Sequence, residues 1–368
     1  STMKKHLHKL ILFSATACLS ACTAQEPLTD YVDPRIGTAH SRWFFFTPAA
    51  VPFGMAKLAP TTDGHLGNPN GWEAVGYDSR HTSIEGFANF HEFQVGGVVV
   101  APTVGELQTV PGPLDNPDAG YRSRFDKKDE VARPGYYSVL LKDYGVKAEL
   151  TATERVGFHR YTFPATEEAN LIFNIGTRMG ESGPVRDASV TYTDDGRIEG
   201  WVVTEPAYVD IYQKGATVTM YFSAVLDAEP AAWGAFSGEQ TFAGERSRTG
   251  VGAGLYLRFD TRERQQVGLK IGLSYTSVEN ARLNLEKEAA RKDFDRVRRE
   301  ANDTWEEALG RLRVEGGLHD DRVKFYTGLF HALLGRGLAS DVNGAYPAND
   351  GTVGQIALDG AGKPENQY

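Results

Sequence analysis

The pattern of hydrophobic and polar positions in this 368-residue chain changes its period once. From about Tyr31 to Tyr275, apolar residues alternate with polar ones in short stretches separated by turn residues, which is typical of half-buried β-strands. The segment YYSVLLKDYGVKAELTATERVGFHRYTFP, residues 136–164, is one example. A hairpin is expected around Asp194-Asp195-Gly196. Many short strands without intervening helices predict a β-sandwich.

After Ser277 the apolar residues recur every three or four positions. This spacing predicts one linker helix within residues 277–317, with Ser277 as its N-cap and Gly316-Gly317 at its end. A second helix is predicted from Asp320 to Leu338, followed by a loop-like segment to Tyr368. Two helices cannot bury both of their apolar faces against each other alone, so we expect them to pack on the sandwich or on a further domain. We also expect the chain to be truncated.

The N-terminus has the layout of an export signal. Three lysines precede a short apolar stretch from Leu10 to Phe13 that is too short to span a bilayer. The signal then ends in Leu19-Ser20-Ala21-Cys22, which resembles a bacterial lipobox. We therefore expect a signal peptide over 1–21 and lipidation of Cys22, although a leftover cysteine of the signal region would also account for that residue.

Charge and cysteine content narrow the class of protein. The signal segment carries three lysines and no carboxylate, so its removal changes the net charge from −9 to about −12. An acidic exported chain without a basic run argues against a nucleic-acid partner. Only one of the two cysteines would remain in the mature chain, so no internal disulfide is expected. The sequence predicts an exported bacterial lipoprotein, periplasmic or associated with the outer membrane, whose lipid anchor contacts the membrane.

The His91-Glu92 pair invites comparison with the zinc-protease motif H-E-x-x-H. That motif fails here, because Val95 stands where the second histidine should be and the segment reads as strand rather than helix. The histidines outside the signal show no ligand-pair spacing, so the sequence assigns no metal ligand within this chain. No G-x-S-x-G sequence occurs either.

Aromatic and polar residues are concentrated in the block from Tyr31 to Phe93, which includes Trp43, Trp72, Tyr77 and His91. Sugar sites often have this composition, because an aromatic ring covers the apolar face of a sugar while Asp, Glu and His bind its hydroxyls. Aromatic-rich loops of this kind can equally be part of a protein's hydrophobic core.

The same block resembles the start of glycoside hydrolase family 92, the calcium-dependent exo-acting α-mannosidases. The segment 132–164 and the segment 325–346 are also similar to that family, so the resemblance runs from about residue 31 to the end. The matching stretches are Val32-Asp33-Pro34, Ile36-Gly37-Thr38, Pro52-Phe53-Gly54-Met55, Gly71-Trp72, Gly76-Tyr77, Ile84-Glu85-Gly86-Phe87 and the His91 position.

The resemblance implies a mainly β chain in which an N-terminal β-sandwich (31–276) is followed by linker helices (277–317). Residues 318–368 would be the truncated start of an (α/α)6 barrel, and residues 22–30 would be the lipid anchor and tether. The family hydrolyses terminal α-mannosyl linkages of glycans by inversion. Its catalytic carboxylates and calcium ligands lie later than Tyr368, so we assign no catalytic residue and expect this fragment to be inactive alone.

The resemblance and the aromatic block together indicate Trp72, Tyr77, His91 and Glu92 as sugar-contacting residues. Two loops depart from the family pattern, at 39–44 and at 88–94, which leaves the linkage and the sugar open. The alternative function is a surface glycan-binding lipoprotein without catalysis.

Other residues have structural interpretations. Glu85 and Glu92 are expected to be hydrogen-bonding loop residues rather than an acid/base pair. Trp305 is expected in the core, and Asp341 and Asn343 are expected in a turn rather than around a cation.

Overall fold

The structure is a computed structural model that describes residues 25–39, 45–62, 76–91, 97–177, 183–335 and 337–368. Within these residues the chain is mainly β, as the sequence predicts, and two large antiparallel sheets dominate it. Four of the residues singled out from the sequence, Cys22, Trp43, Trp72 and Glu92, lie outside the described part of the chain.

The first large sheet has seven strands, numbered along the chain like all elements below. In spatial order they are β1 (Ala59–Thr61), β3 (Gly86–Ala88), β4 (Val99–Val104), β10 (Ala169–Asn174), β17 (Ala253–Phe259), β14 (Ala232–Ser237) and β15 (Gln240–Ala243).

The second large sheet has nine strands. In spatial order they are β16 (Ser247–Thr249), β11 (Val185–Tyr192), β12 (Arg197–Thr204), β13 (Val218–Leu226), β18 (Gln266–Ser274), β9 (Val156–Thr162), β8 (Val146–Ala152), β7 (Tyr136–Leu141) and β6 (Val131–Arg133). Two small strand pairs complete the described sheets: β2 (Ser83–Ile84) with β5 (Ser123–Arg124), and β19 (Ala345–Pro347) with β20 (Val353–Gln355).

The two large sheets pack face to face and enclose one apolar core, so the predicted β-sandwich is confirmed. Phe173 and Leu255 enter this core from the first sheet, and Leu150, Phe222 and Ile271 enter it from the second. Buried residues alternate with less buried neighbours at Met220 in β13 and at Leu257 in β17, because successive side chains point to opposite faces of a sheet. Burial of such side chains is worth about 1.5–3 kcal/mol each.

The predicted hairpin around Asp194-Asp195-Gly196 is confirmed, because β11 and β12 pair in antiparallel register on either side of it. Gly196 adopts a φ of 81° there, a left-handed conformation that costs glycine little. The amide of Gly196 donates to the carbonyl of Thr193 at 3.0 Å and closes the turn.

The prediction of a single linker helix over 277–317 is wrong. The structure has two helices there, α2 (Val278–Ala289) and α3 (Phe294–Leu309), after a short helix α1 (Ala207–Tyr212) within the sandwich. Ser277 is the N-cap of α2, as predicted, and accepts from the amide of Asn280 at 3.0 Å. The break arises because the Asp293 carboxylate accepts from the amide of Arg296 at 2.8 Å and so caps a new helix.

The last helix, α4, spans His319–Leu334 and ends four residues before the predicted Leu338. Gly335 has a φ of 31°, and the amide of Leu338 then bonds to the Phe53 carbonyl at 2.8 Å. The chain therefore leaves the helix to join the sandwich. Among the residues that the structure describes, no helix is both long and apolar enough to cross a membrane.

Helices α2 and α3 pack on the outside of the nine-stranded sheet, and α4 packs on α3 and on the N-terminal segment around Leu28 and Tyr31. Helix α2 approaches so closely that a Cβ on Gly272 would lie 2.1 Å from the Ala281 carbonyl oxygen. Trp305 of α3 is fully buried, as predicted, and its indole N–H donates to the Ala50 carbonyl at 2.7 Å. The ring of Trp305 packs 4.6 Å from that of Phe330 in α4. The sheet thus covers the apolar faces of α2 and α3, whereas α3 and the N-terminal segment cover that of α4.

Candidate sugar-binding site

The candidate site surrounds a small apolar cluster of Phe46, Ala59 and Tyr77 at the β1 edge of the seven-stranded sheet. Two pairs of described residues at this edge, Thr62 with Gly76 and Asn89 with Gly97, are joined by backbone hydrogen bonds. The amide of Thr62 bonds to the Gly76 carbonyl at 2.7 Å, and that of Asn89 bonds to the Gly97 carbonyl at 3.3 Å. In sequence, Trp72 falls between the first pair and Glu92 between the second.

Tyr77 lies inside the protein, with 2% of its surface exposed. Its hydroxyl donates to the carboxylate of Glu130, whose two oxygens lie 3.0 and 3.1 Å away, and Tyr137 donates to the same carboxylate at 2.7 Å. Burial, reinforced by Glu130, raises the pKa of Tyr77 far above its usual value. Tyr77 is thus a neutral hydrogen-bond donor held in place by Glu130. Its contact with sugar stays a prediction.

His91 is also buried, and its backbone amide bonds to the Lys57 carbonyl at 3.0 Å. Its ring stacks on Phe46 with centroids 4.7 Å apart. Neither ring nitrogen forms a well-aligned hydrogen bond with a described residue, although the backbone of Pro60 lies close to the ring. Burial lowers the pKa of His91 to about 3, although nearby backbone carbonyls offset part of this effect. The imidazole is therefore neutral at physiological pH, with one nitrogen able to donate and the other able to accept.

Three further buried polar atoms around the same cluster form no well-aligned hydrogen bond in the described chain: Thr47 Oγ1, which lies near the Tyr77 hydroxyl, Thr61 Oγ1 and Lys127 Nζ. The Lys127 ammonium lies 4.4 Å from the centroid of Phe125 and 5.9 Å from that of Tyr77, and burial lowers its pKa. Buried polar atoms without partners cost about 1–3 kcal/mol each. We call Thr47, Thr61, His91 and Lys127 the open polar cluster; a ligand with hydroxyl groups could satisfy it.

A directed chain of hydrogen bonds supports the backbone next to His91. Tyr161 donates to His159 Nδ1 at 2.6 Å, His159 Nε2 donates to Asn89 Oδ1 at 2.8 Å, and Asn89 Nδ2 donates to the Val98 carbonyl at 2.6 Å. Val98 is buried at a φ of 53°, which is a strained conformation for a β-branched residue. Strain of this kind persists only where surrounding contacts hold it, and it clusters at functional sites.

Sequence reasoning missed Asn89, His159, Val98 and Lys127. Asn89 and His159 come from segments 70 residues apart that meet only in the folded sandwich. Lys127 belongs to a charged run, Asp126 to Asp129, that looks like an ordinary surface turn. The paired Gly96-Gly97 was the one local signal of an unusual backbone near Val98.

The remaining candidates have structural roles. Glu85 is buried and pairs with Arg122, with a 3.3 Å distance between Oε2 and the guanidinium nitrogen, so its expected hydrogen-bonding role is confirmed. The turn at Asp341 is also confirmed, since the Gly344 amide bonds to the Asp341 carbonyl at 2.9 Å.

The calcium implied by the family resemblance finds no fitting site in the described residues. No group of three or more His, Cys, Asp or Glu side chains in that part of the chain could hold a metal ion. The Asp341 carboxylate accepts from Thr276 at 2.5 Å and from Asn284 at 2.7 Å. We therefore assign no catalytic step to calcium here.

Comparison with known proteins places the chain in the class of glycoside hydrolases. The family model described as the glycosyl hydrolase family 92 N-terminal domain matches residues 31–274. The model of the family 92 catalytic domain matches residues 280–362. The chain belongs to glycosyl hydrolase family 92.

Individual relatives agree with this assignment. An uncharacterized secreted glycosidase from Arthroderma benhamiae is 26% identical over 334 residues, which are 83% of this chain and 41% of that protein. A family GH92 alpha-mannosidase from Bacteroides thetaiotaomicron is 27% identical with a TM-score of 0.82, and the match covers 90% of this chain and 44% of the mannosidase. The GH92 family glycosyl hydrolase ccman5 is 26% identical with a TM-score of 0.76, covering 89% and 44% of the two chains. This chain thus spans less than half the length of these relatives.

Proposed function

We propose that the whole protein is an exo-acting α-mannosidase that removes terminal α-linked mannose from glycans by an inverting mechanism. The observation that carries this proposal is the fold match at a TM-score of 0.82 and 27% identity to a family GH92 alpha-mannosidase. The same mannosidase was also solved in complex with mannoimidazole. The likeness covers 90% of this chain, and the match to the family's N-terminal domain spans residues 31–274, which include the open polar cluster.

The described site would bind the sugar rather than perform the chemistry. His91 is neutral and has two ring nitrogens without a well-aligned hydrogen bond, which match the donor and acceptor of a sugar hydroxyl. Trp72, Tyr77 and Glu92 are the other residues that we propose as sugar contacts, with Trp72 supplying an aromatic face. Hydroxyl recognition by buried groups is selective, because an analogue that lacks the hydroxyl leaves those groups unpaired.

Inverting hydrolysis needs two carboxyl groups about 6.5–9.5 Å apart, one to protonate the leaving oxygen and one to activate water. We assign neither role to a described residue. Calcium is part of the proposal for the whole protein, with ligands other than the described residues. Residues 31–276 would then form the sandwich domain, 277–317 the linker, and 318–368 a first part of the catalytic domain.

The test is hydrolysis of an α-mannosyl substrate by the whole protein, with and without a metal chelator. We expect release of mannose that the chelator abolishes and calcium restores. His91→Ala should lower kcat/KM at least tenfold, since it removes a hydroxyl partner worth about 1.4 kcal/mol or more. The matched control is His319→Ala, because His319 is exposed on α4 and should keep its activity.

The proposal fails if the whole protein binds mannosides and releases no mannose, an outcome that would favour the glycan-binding alternative. The assignment of His91 fails if His91→Ala and His319→Ala have equal kcat/KM. Thermal unfolding of both variants shows whether a loss of activity reflects a loss of folded protein.

We also propose export and lipid anchoring. The relative from Arthroderma benhamiae is called a secreted glycosidase, and the lysine-rich start and lipobox-like Cys22 of this chain have the layout of a lipoprotein signal.

A further inference from the structure

The N-terminal arm, residues 25–32, is fixed on helices α3 and α4. The Glu306 carboxylate of α3 accepts from the backbone amides of Leu28 at 3.1 Å and Thr29 at 2.7 Å, and from the Thr29 hydroxyl at 2.6 Å. Leu28 and Tyr31 are buried in one apolar cluster with residues of both helices. Hydrogen bonds and apolar burial therefore hold the arm against the helices.

The loop between α3 and α4, residues 310–318, lies beside this arm. The hydroxyl of Tyr326 in α4 accepts from the Val314 amide at 3.1 Å and donates to the Leu312 carbonyl at 3.2 Å. The Tyr326 ring stacks on Tyr31 of the arm with centroids 5.7 Å apart. A cleft of about 440 Å³ has residues of both segments in its lining. The loop and the start of the arm thus share one side of the molecule.

The loop presents apolar side chains to solvent. Leu312, Val314 and Leu318 are 54%, 37% and 73% exposed, and the neighbouring Arg311 and Arg313 are exposed as well. A group of exposed apolar side chains marks a contact surface, because its burial removes apolar area from water. Apolar side chains that enter the acyl boundary, next to arginines that bond to phosphates, are typical of segments that lie in a membrane interface.

The position of Cys22 in the sequence argues that this contact is with a membrane. Cys22 precedes Gln25 by three residues, which span at most about 11 Å when extended. Gln25 lines the same cleft as Val314 of the loop. A lipid on Cys22 would therefore keep the loop at the bilayer surface, because the docked arm adds no length to the tether.

We propose that residues 310–318 insert into the lipid headgroup layer, with Leu312 and Leu318 at the acyl boundary. Arg311 and Arg313 bind lipid phosphates. This inference rests on the proposed lipid anchoring and adds a fixed orientation to it. Without its signal the chain carries a net charge of about −12, so charge alone does not draw it to an anionic membrane. The anchor brings the loop to the surface, and the apolar side chains then hold it there.

The experiment is hydrogen–deuterium exchange with mass spectrometry on the whole protein in two forms, unlipidated in solution and lipidated on vesicles of phosphatidylethanolamine and phosphatidylglycerol. The lipid is the native acyl group or, where the host adds none, a diacyl chain ligated to an N-terminal Cys22. We expect the vesicles to slow deuterium uptake within 310–318 and to leave uptake within 246–252 unchanged. Residues 246–252 are the control segment, because β16 lies at the edge of the nine-stranded sheet opposite β6, whereas α3 packs on β7, β8 and β9.

Leu312→Ser combined with Leu318→Ser should remove the slower uptake. Val251→Ser, a matched change at a residue that is 63% exposed in the control segment, should keep it. The inference is overturned if the double variant behaves like Val251→Ser. It is also overturned if uptake within 310–318 is equal in the two forms, and slow uptake in both would show that the rest of the catalytic domain covers the loop. Because the lipid can be ligated, missing native acylation contradicts the anchoring proposal alone, and equal uptake on vesicles contradicts the loop contact alone.

Discussion

Two histidines of the sandwich, His91 and His159, are buried, and Asn89 links His159 to the strained backbone at Val98. They differ in what surrounds their rings. His159 has a partner on both nitrogens, whereas His91 forms no well-aligned hydrogen bond with a described residue. The first therefore holds the local structure together, and the second has its hydrogen-bonding capacity available for a ligand. This contrast is the strongest argument for His91 as a sugar contact.

Both histidines make stability depend on pH. Burial lowers each pKa to about 3 from an ordinary value of 6.5, so the unfolded chain binds protons below pH 6.5 that the folded chain refuses. Stability is complete above that pH and falls as the pH drops, by up to about 1.4 kcal/mol per pH unit for each histidine. We expect urea denaturation to give a lower free energy of unfolding at pH 5 than at pH 7.

Substitution separates this effect from other titrations. His159→Gln should reduce the dependence of the unfolding free energy on pH, because one buried group that binds a proton on unfolding is gone. His319→Gln, at an exposed position, should leave the dependence unchanged. Equal slopes for both variants and the parent chain between pH 7 and 5 would refute the explanation.

At the scale of elements, the segment after α4 is joined to the sandwich and α2 through Asp341. Its carboxylate accepts from Thr276, which follows β18, and from Asn284 of α2. Nearby, the Arg155 guanidinium donates to the Ser340 carbonyl at 2.7 Å. Burial raises the pKa of Asp341, against the opposing effect of its hydrogen-bond donors. A single side chain thus connects three elements that are distant in sequence.

Asp341→Ala should destabilise this junction by about 2–4 kcal/mol, because it leaves two buried donors without partners. Urea denaturation measures the loss, and limited proteolysis with mass spectrometry should detect faster cleavage within residues 337–368. Asp350→Ala is the control, since Asp350 is exposed and bonds only within its own turn. If both variants are cleaved at the same rate, Asp341 does not hold the junction.

At the scale of the whole molecule, a β-sandwich and three packed helices form one folded unit with three main apolar clusters. The sandwich positions the open polar cluster. Under the proposed function it would present a glycan to a catalytic domain, and the proposed lipid anchor would hold the protein at a membrane surface.

Anchoring through Cys22 is tested in the native host. The parent protein should incorporate labelled palmitate and sediment with membranes, and Cys22→Ser should do neither, because the acceptor thiol is gone. Cys18→Ser is the matched control and should behave like the parent protein. Palmitate in the Cys22→Ser variant, or none in the parent, would contradict the lipoprotein assignment.

The sequence alone determined the features that depend on local periodicity and local turn chemistry. The alternation of apolar residues predicted the sandwich, Asp194-Asp195-Gly196 predicted a hairpin turn, and Ser277 predicted the start of a helix. The break at Asp293 was not predicted, because the apolar period continues through it while a local cap competes with the helix. The family resemblance added the class of enzyme, which periodicity cannot supply.

The tertiary structure decided which polar residues are partnered and which are open. The local sequence does not distinguish the roles of His91 and His159. Only the folded sandwich brings the Asn89 side chain to the ring of His159. Asp341 likewise meets Thr276 and Asn284 only in the folded chain. Burial and hydrogen-bond pairing depend on contacts between distant segments, and these contacts have no signature in the local order of residues.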